Sequence, residues 1–262
     1  MSTHLTANGG LLLDGRVAVV TGANGGLGGA IVERLRLLGA VVVQLDIALP
    51  MQNVDQEMLA IKCDISNEDS VISAAQQVAS TFGRCDILVN NAAILPKPIG
   101  LENIEAEDWD RVFSVNVRGT FLCAKHFGRL MLARKRGSIV NLASIAATTP
   151  NTTGSYGPSK GAVLALTRQI AVEWGPRGVR ANAVSPGLVL TPMSEHIYRD
   201  EAVLQARTNA VASRRIGTPG ELADVVAYLA SDAASYINGQ ELVVDGGLLN
   251  TTLTRLQAPL LS

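Results

Sequence analysis

"RVAVVTGANGGLG", residues 16–28, decides how the rest of the chain is read. Its first half, "RVAVVTG" (16–22), is a β-branched apolar run, the pattern of a strand buried on both faces. Its second half is a turn with glycines at 22, 26 and 28. The following "GGAIVERLRLLG" spaces Ile31, Leu35 and Leu38 along one helix face and stops at Gly39. The spacing G-x-x-x-G-x-G departs from the common dinucleotide fingerprint G-x-G-x-x-G, but the physical demand is the same. Glycines let the backbone turn sharply and approach a pyrophosphate at a helix N-terminus, where free N–H groups and the dipole favour an anion. An isolated glycine cluster reads equally well as a turn without a ligand. Its place after the first strand of an alternating chain is what argues for a nucleotide.

The alternation runs the length of the chain. Strand patterns recur in "AVVVQLD" (40–46), "MLAIKCD" (58–64), "DILVNNA" (86–92), "GSIVNLAS" (137–144), "VRANAVSPG" (179–187) and "QELVVDGG" (240–247). Helical stretches separate them: one capped by Ser66 or Asn67 and ended by Gly83, a long one over 107–136, one over 157–174, and "GELADVVAYLAS". Strands alternating with helices of this length imply a parallel sheet covered on both faces. The expected architecture is α/β: a single doubly wound Rossmann-type domain over 1–262, with seven parallel strands and a core over about 15–247. The polar section 188–218 breaks the rhythm and reads as a small helical lid.

Composition narrows the functional class. The chain has 262 residues, 47% apolar, with a formal net charge of -1. The near-neutral balance argues against nucleic acid, which needs a basic face. Three scattered cysteines, Cys63, Cys85 and Cys123, read as reduced thiols of a cytoplasmic protein. The opening "MSTHLTANGGLLLDG" is too weak for a signal peptide, and no apolar run approaches the ~20 residues of a membrane span. His4, His126 and His196 show no metal spacing.

Asp46 closes the second strand about twenty residues after the turn. A carboxylate there can accept from both adenosine ribose hydroxyls and would repel a 2′-phosphate. Its neighbours Ile47 and Ala48 supply no cation, nor do Ala23, Asn24 and Gly25 in the turn, so NAD is favoured over NADP. Read alone, Asp46 is as readily a strand terminator. Asp64 after the third strand is placed to reach the adenine amine. "NNAA" (90–93) is small and polar, as backbone beside a cofactor must be.

Ser144 ends "IVNLAS", Asn116 sits in "SVNVRGTF", and Tyr156 and Lys160 lie four apart in "SYGPSK" (155–160). With "TGANGGLG", "NNAA", "SPG" (185–187) and the ending "RRIGTPGELADVVAYLASDAASYINGQELVVDGG", the sequence resembles the short-chain dehydrogenase/reductase family over about 15–247. Ala93 stands where that family usually has glycine, and Gly157-Pro158 replaces its commoner small residues. Proline is accepted in a first helical turn, so Pro158 marks a helix start with Tyr156 and Lys160 on one face.

The resemblance implies an oxidoreductase interconverting a secondary alcohol and a ketone with NAD. Tyr156 would be the general base or acid, Ser144 the hydrogen-bond partner of the reacting oxygen, Lys160 the cation that lowers the tyrosine pKa and grips the ribose. Asn116 would fix a backbone kink and a water. The cofactor would run along Gly22, Asn24, Gly26, Leu27 and Gly28, then Asp46, Ile47, Asp64, Ile65, Asn91, Ala92 and Ala93. Tyr156, Lys160, Pro186, Gly187, Val189 and Thr191 would complete its site. Substrate walls are expected from Ile94, Leu95, Ala146, Thr148, Leu188, Met193 and the lid. Two other readings are an NADPH-dependent 3-oxoacyl-carrier-protein-type reductase, with "ARKRG" (133–137) as a docking patch, and a non-enzymatic NAD sensor. Apolar residues all around 157–174 and the preceding helix, with the last strand, suggest a homotetramer.

Overall fold

The computed structural model describes residues 12–48, 53–55, 58–192 and 194–251. Strand β1 (Val17–Thr21) leads through the glycine turn into α1 (Gly26–Leu37), then β2 (Val41–Asp46), β3 (Asn53–Asp55) and β4 (Met58–Lys62). Helix α2 (Glu68–Phe82) returns to β5 (Ile87–Asn90), followed by α3 (Ala106–Phe113), α4 (Thr120–Arg134) and β6 (Gly137–Leu142). Helix α5 (Tyr156–Trp174) precedes β7 (Val179–Pro186), and α6 (Glu201–Ala210) and α7 (Pro219–Ala230) precede β8 (Glu241–Val244).

The sheet order is β3-β4-β2-β1-β5-β6-β7-β8. Seven strands are parallel, as the alternation implied; the short β3 adds an antiparallel edge pairing to β4. Three residues, two of them polar, carry no period for the sequence to announce. From β1 the chain winds outward through β2 one way and, after β5, the other way. The crevice over the carboxyl ends of β1 and β5 is therefore the switch point where such sheets take ligands.

Both faces are packed, with strand residues alternating between them. Leu88 and Ile139 meet Leu122, Phe127 and Ile170 on one side. Ile87, Val89 and Val140 meet Ile31, Leu35 and Val226 on the other. Asn67, not Ser66, caps α2 by accepting from the Ser70 N–H, and Gly83 ends it at φ +68°. The helix expected over 107–136 is three pieces: α3, a π-turn at Ser114–Gly119, and α4. The extra residue of a π-turn leaves no mark on hydrophobic spacing, which is why the sequence read it as continuous helix.

The second apolar face expected on α4 and α5 is largely covered within the chain. Val163, Leu164, Ile170, Ala171, Leu122 and Met131 are buried, and Trp174 packs across Gly128 of α4. Phe121 (46% exposed) and Val172 (75%) are the large apolar side chains exposed on these helices, with Leu130, Leu132, Leu166 and Trp174 partly buried.

Helices α2 and α4 are also joined by charge. Glu68 Oε1 accepts from Lys125 Nζ at 2.7 Å and lies 3.0 Å from His126 Nε2. These bonds hold the Glu68 carboxyl at about 2, below its ordinary value. A depressed carboxyl pKa stabilises the fold above the unfolded value near 4.3 and loses that contribution as pH falls toward 2. Glu68→Gln should therefore unfold at lower denaturant than the parent at pH 7. The gap should close between about pH 4 and 2; a pH-independent gap would rule out the ion pair as its source.

Candidate active site

The site begins with a helix start. α5 opens at Tyr156, so Pro158 is its third residue, where the missing N–H has no helical partner to lose. One turn on, Lys160 falls on the same face. The Lys160 side chain is buried (3% exposed) and donates to the Leu142 carbonyl at the end of β6, 2.6 Å away. Its Nζ lies 5.6 Å from the Tyr156 ring centroid. Ser144, two residues beyond β6, hydrogen-bonds the partly exposed Tyr156. Its Oγ also accepts from the Ala146 N–H at 3.1 Å, which fixes the rotamer.

Asn116 stands in the π-turn, buried, and uses both ends of its amide. Its Oδ1 accepts from Ile94 N–H at 2.9 Å, and its Nδ2 donates to Ile94 O at 3.1 Å and Ser159 Oγ at 3.0 Å. Ser159 Oγ in turn donates to the Tyr156 carbonyl at 2.7 Å. The backbone irregularity at Asn116 is a π-turn over Ser114–Gly119. The four residues converge: Tyr156, Lys160 and Ser144 directly, Asn116 through Ser159.

The expected lowering of the tyrosine pKa is not found in the chain by itself. Burial pushes the Tyr156 phenol up, and only the Ser144 hydrogen bond opposes it. Burial likewise lowers Lys160, to about 8. The lysine therefore stays mostly protonated at neutral pH, and the tyrosine keeps its proton.

The cofactor candidates line the crevice beside these groups. Gly22 has φ +63°, and a Cβ there would lie 2.8 Å from Ala92 Cα; at Gly28 a Cβ would collide with the Gly22 carbonyl. The turn is thus as tight as glycine allows. No side chain caps α1 and its first turn holds no acid, which leaves its leading N–H groups to an anion. Asp46 accepts from Asn24 N–H through Oδ2 and from Ala48 N–H through Oδ1, both at 3.0 Å. The carboxylate is thereby aimed, with a lone pair left on each oxygen. Ile47 beside it is 61% exposed. Asp64 Oδ1 accepts from the Ser66 N–H and hydroxyl.

Other candidates also brace the fold. The Asn91 amide donates to the carbonyls of Thr21 and Gly22, each at 3.0 Å, and so ties β5 to the turn. Ile65 is buried against Gly119 of the π-turn. Leu27 packs on the core beneath α1, and Ala92 and Ala93 lie half-buried at the end of β5. Pro186 ends β7, and Gly187 donates to Val244 O at 3.0 Å while lying against Asp245. Val189 bridges to Gly217, and Thr191 Oγ1 lies 3.2 Å from Ser194 Oγ. Met193, named as a wall, lies outside the described residues, as do His4 and the side chain of His196.

The sequence missed two contributors. Thr21 Oγ1 accepts from the N–H groups of Asn91 and Ala92, both at 3.0 Å, locking the two strand ends together. Pro192 lies on Gly26, so the segment after β7 crosses the glycine turn. A threonine closing a strand and a proline in a polar insert are too common to have flagged either.

The chain resembles several known proteins over most of its length. Residues 22–249 match a family described as enoyl-(acyl carrier protein) reductase. D-threitol dehydrogenase of Mycolicibacterium smegmatis is 38% identical, over 90% of this chain and 93% of that protein. Cis-4-hydroxycyclohexanecarboxylate dehydrogenase of Sinomonas cyclohexanicum is also 38% identical, over 88% and 96%. The ligand-free structure of aldohexose dehydrogenase from Thermoplasma acidophilum superposes with a TM-score of 0.84 at 33% identity, covering 95% and 98%. The chain belongs to the short-chain dehydrogenase/reductase family.

The Ser144 bond carries a pH signature. Because it lowers the tyrosine pKa against burial, removing it raises that pKa. Alcohol oxidation should rise with pH in the parent. In Ser144→Ala the apparent pKa of kcat/KM should move upward, on top of a rate loss of about 10²-fold. An unchanged or lower apparent pKa would separate Ser144 from Tyr156.

Proposed function

We propose that this protein is an NAD-dependent oxidoreductase that interconverts a secondary alcohol and a ketone. The observation that carries the reading is a half-buried tyrosine hydrogen-bonded to Ser144, with a buried lysine ammonium 5.6 Å from its ring, beside an uncapped helix N-terminus. Nicotinamide, when bound, supplies the hydride chemistry. The chain supplies the rest. Tyr156 takes the alcohol proton in oxidation and returns it in reduction. Ser144 holds the substrate oxygen beside the phenol. Lys160 sets the charge around that proton from below, and Asn116 holds the backbone of Ile94 and, through Ser159, the start of α5. Residues 188–218 act as the substrate lid within one domain.

Two features support NAD over NADP. The aimed Asp46 carboxylate suits ribose hydroxyls and repels a phosphate, and no lysine or arginine stands among residues 21–30 or 46–48. The same features weigh against the NADPH-dependent reductase reading. Exposed Phe121 on α4, Val172 on α5 and Val243 on the edge strand β8 support burial between copies, in a homotetramer. The three cysteines are free and buried, in keeping with a cytoplasmic chain. Among the described residues no helix is long and apolar enough to cross a membrane.

Steady-state kinetics test the assignment directly. Tyr156→Phe should still bind NADH while turnover drops by about 10³-fold or more; near-normal activity would refute the mechanism. The parent should prefer NAD over NADP by kcat/KM, and Asp46→Ala should narrow that ratio by about ten-fold or more, some 1.4 kcal/mol. Equal use of both cofactors by the parent would remove Asp46 from the argument.

A further inference from the structure

Of the large apolar side chains open to solvent among the described residues, five lie on segments at one edge of the sheet, the loop after β5 and the insert after β7, while Leu37, Ile47, Phe121, Val172, Tyr236 and Val243 lie elsewhere. Leu95 (46% exposed), Ile99 (43%) and Leu101 (68%) share the loop from β5 to α3. Leu190 (48%) follows β7, and Leu204 (36%) is on α6. All five belong to segments that leave the carboxyl ends of strands flanking the crevice, where Tyr156 stands.

Geometry ties two of them to the reacting group. Leu95 follows Ile94, whose backbone N–H and carbonyl are both held by the Asn116 side chain. Ile99 donates its N–H to the Thr152 carbonyl at 3.2 Å, joining this loop to the one that leads into α5. A Cβ on Gly154, two residues before Tyr156, would collide with Ile104 and lie 3.9 Å from Ile99. Leu190 is held by its N–H to the Gly217 carbonyl, 2.9 Å away. Ile99 and Leu190 are therefore carried on anchored backbone, and Leu95 follows an anchored residue, in segments at the carboxyl edge of the sheet.

We infer that the substrate presents an apolar skeleton, an alicyclic or alkyl secondary alcohol or its ketone, rather than an open-chain polyol. This rests on the dehydrogenase reading above and deepens it. A polyol keeps its hydroxyls hydrated unless side chains replace each lost water, and a wall of leucine and isoleucine offers no donor or acceptor. An apolar skeleton gains from the same wall by leaving water. Exposed apolar residues beside a cleft mark a binding surface, and here Ile99 is tied to the loop that leads into Tyr156.

The experiment compares kcat/KM for cyclohexanol, 2-octanol, glycerol, threitol and galactitol with one nicotinamide cofactor. The parent should favour the apolar pair by about 10²-fold or more. Leu95→Asn and Ile99→Asn should each cut the apolar value by about ten-fold, mainly through KM, with NADH affinity unchanged in a fluorescence titration. Preference for the polyols overturns the substrate inference and leaves the dehydrogenase reading standing. Wild-type values in both variants overturn it as well, as does a lower oligomer mass of the variants in light scattering, which would make the leucines an interface between copies. Turnover of none of the five, with either cofactor, removes the parent reading and this inference together.

Discussion

One side-chain amide holds the working end of this molecule in register. Asn116 is buried in a π-turn and makes three hydrogen bonds, to both backbone groups of Ile94 and to Ser159. Its own carbonyl accepts from Thr120 Oγ1 at 2.8 Å. The loop after β5, the α3–α4 junction and the first turn of α5 all meet at that residue. A replacement that lost the amide would leave the part-buried backbone groups of Ile94 without these partners. The π-turn is the backbone cost of bringing Asn116 to this point, and such turns recur at functional sites for that reason.

The proton chemistry depends on a second constraint, a cation kept where water is scarce. Moving the Lys160 pKa from 10.5 to about 8 makes the charged form costlier by about 3 kcal/mol. The Leu142 carbonyl compensates in part, at 2.6 Å. The folded lysine gives up its proton near pH 8 while the unfolded one keeps it to about 10.4, so this group's contribution to stability rises with pH across that window. The fold tolerates the buried charge at neutral pH, and in return the tyrosine has a cation beneath it. Burial alone raises Tyr156. Within the chain only the Ser144 interaction opposes that rise.

Much of this was legible in the sequence because it rests on local patterns. The strand runs, Gly39 and Gly83 as helix stops, and the four-residue step from Tyr156 to Lys160 follow from period and conformation alone. What escaped depends on contacts between distant segments. Nothing within ten residues of Thr21 says that its hydroxyl will receive Asn91 and Ala92. That the Asn91 amide would bond to the carbonyls of Thr21 and Gly22 was not legible either. The apolar count on α5 was right, but Gly128 lets Trp174 close over α4, so less of that surface is left open than the helix wheel implied. That Asp46 closes the second strand was readable; that two backbone N–H groups would aim its carboxylate was not.

The two edges of the sheet are built for opposite purposes, and charge shows it. At the carboxyl edge, α1 begins without a cap, so its positive end is left to a ligand. At the amino edge the helix ends are answered from within. Arg180 donates to the carbonyls of Leu229 and Ser231 around the end of α7, at 2.9 and 3.0 Å, and to Ile237 O at 3.3 Å. Arg16 reaches Ala230 O and shares Asp232 with Arg136. A cavity of about 560 Å³ opens among these arginines, and it resembles an anion pocket only if side-chain charges are counted alone. The last carbonyls of α7 supply the missing negative charge, since the C-terminal end of a helix carries about half an elementary charge. The arginines there already have partners within the chain, whereas the N-terminus of α1 has no side-chain cap.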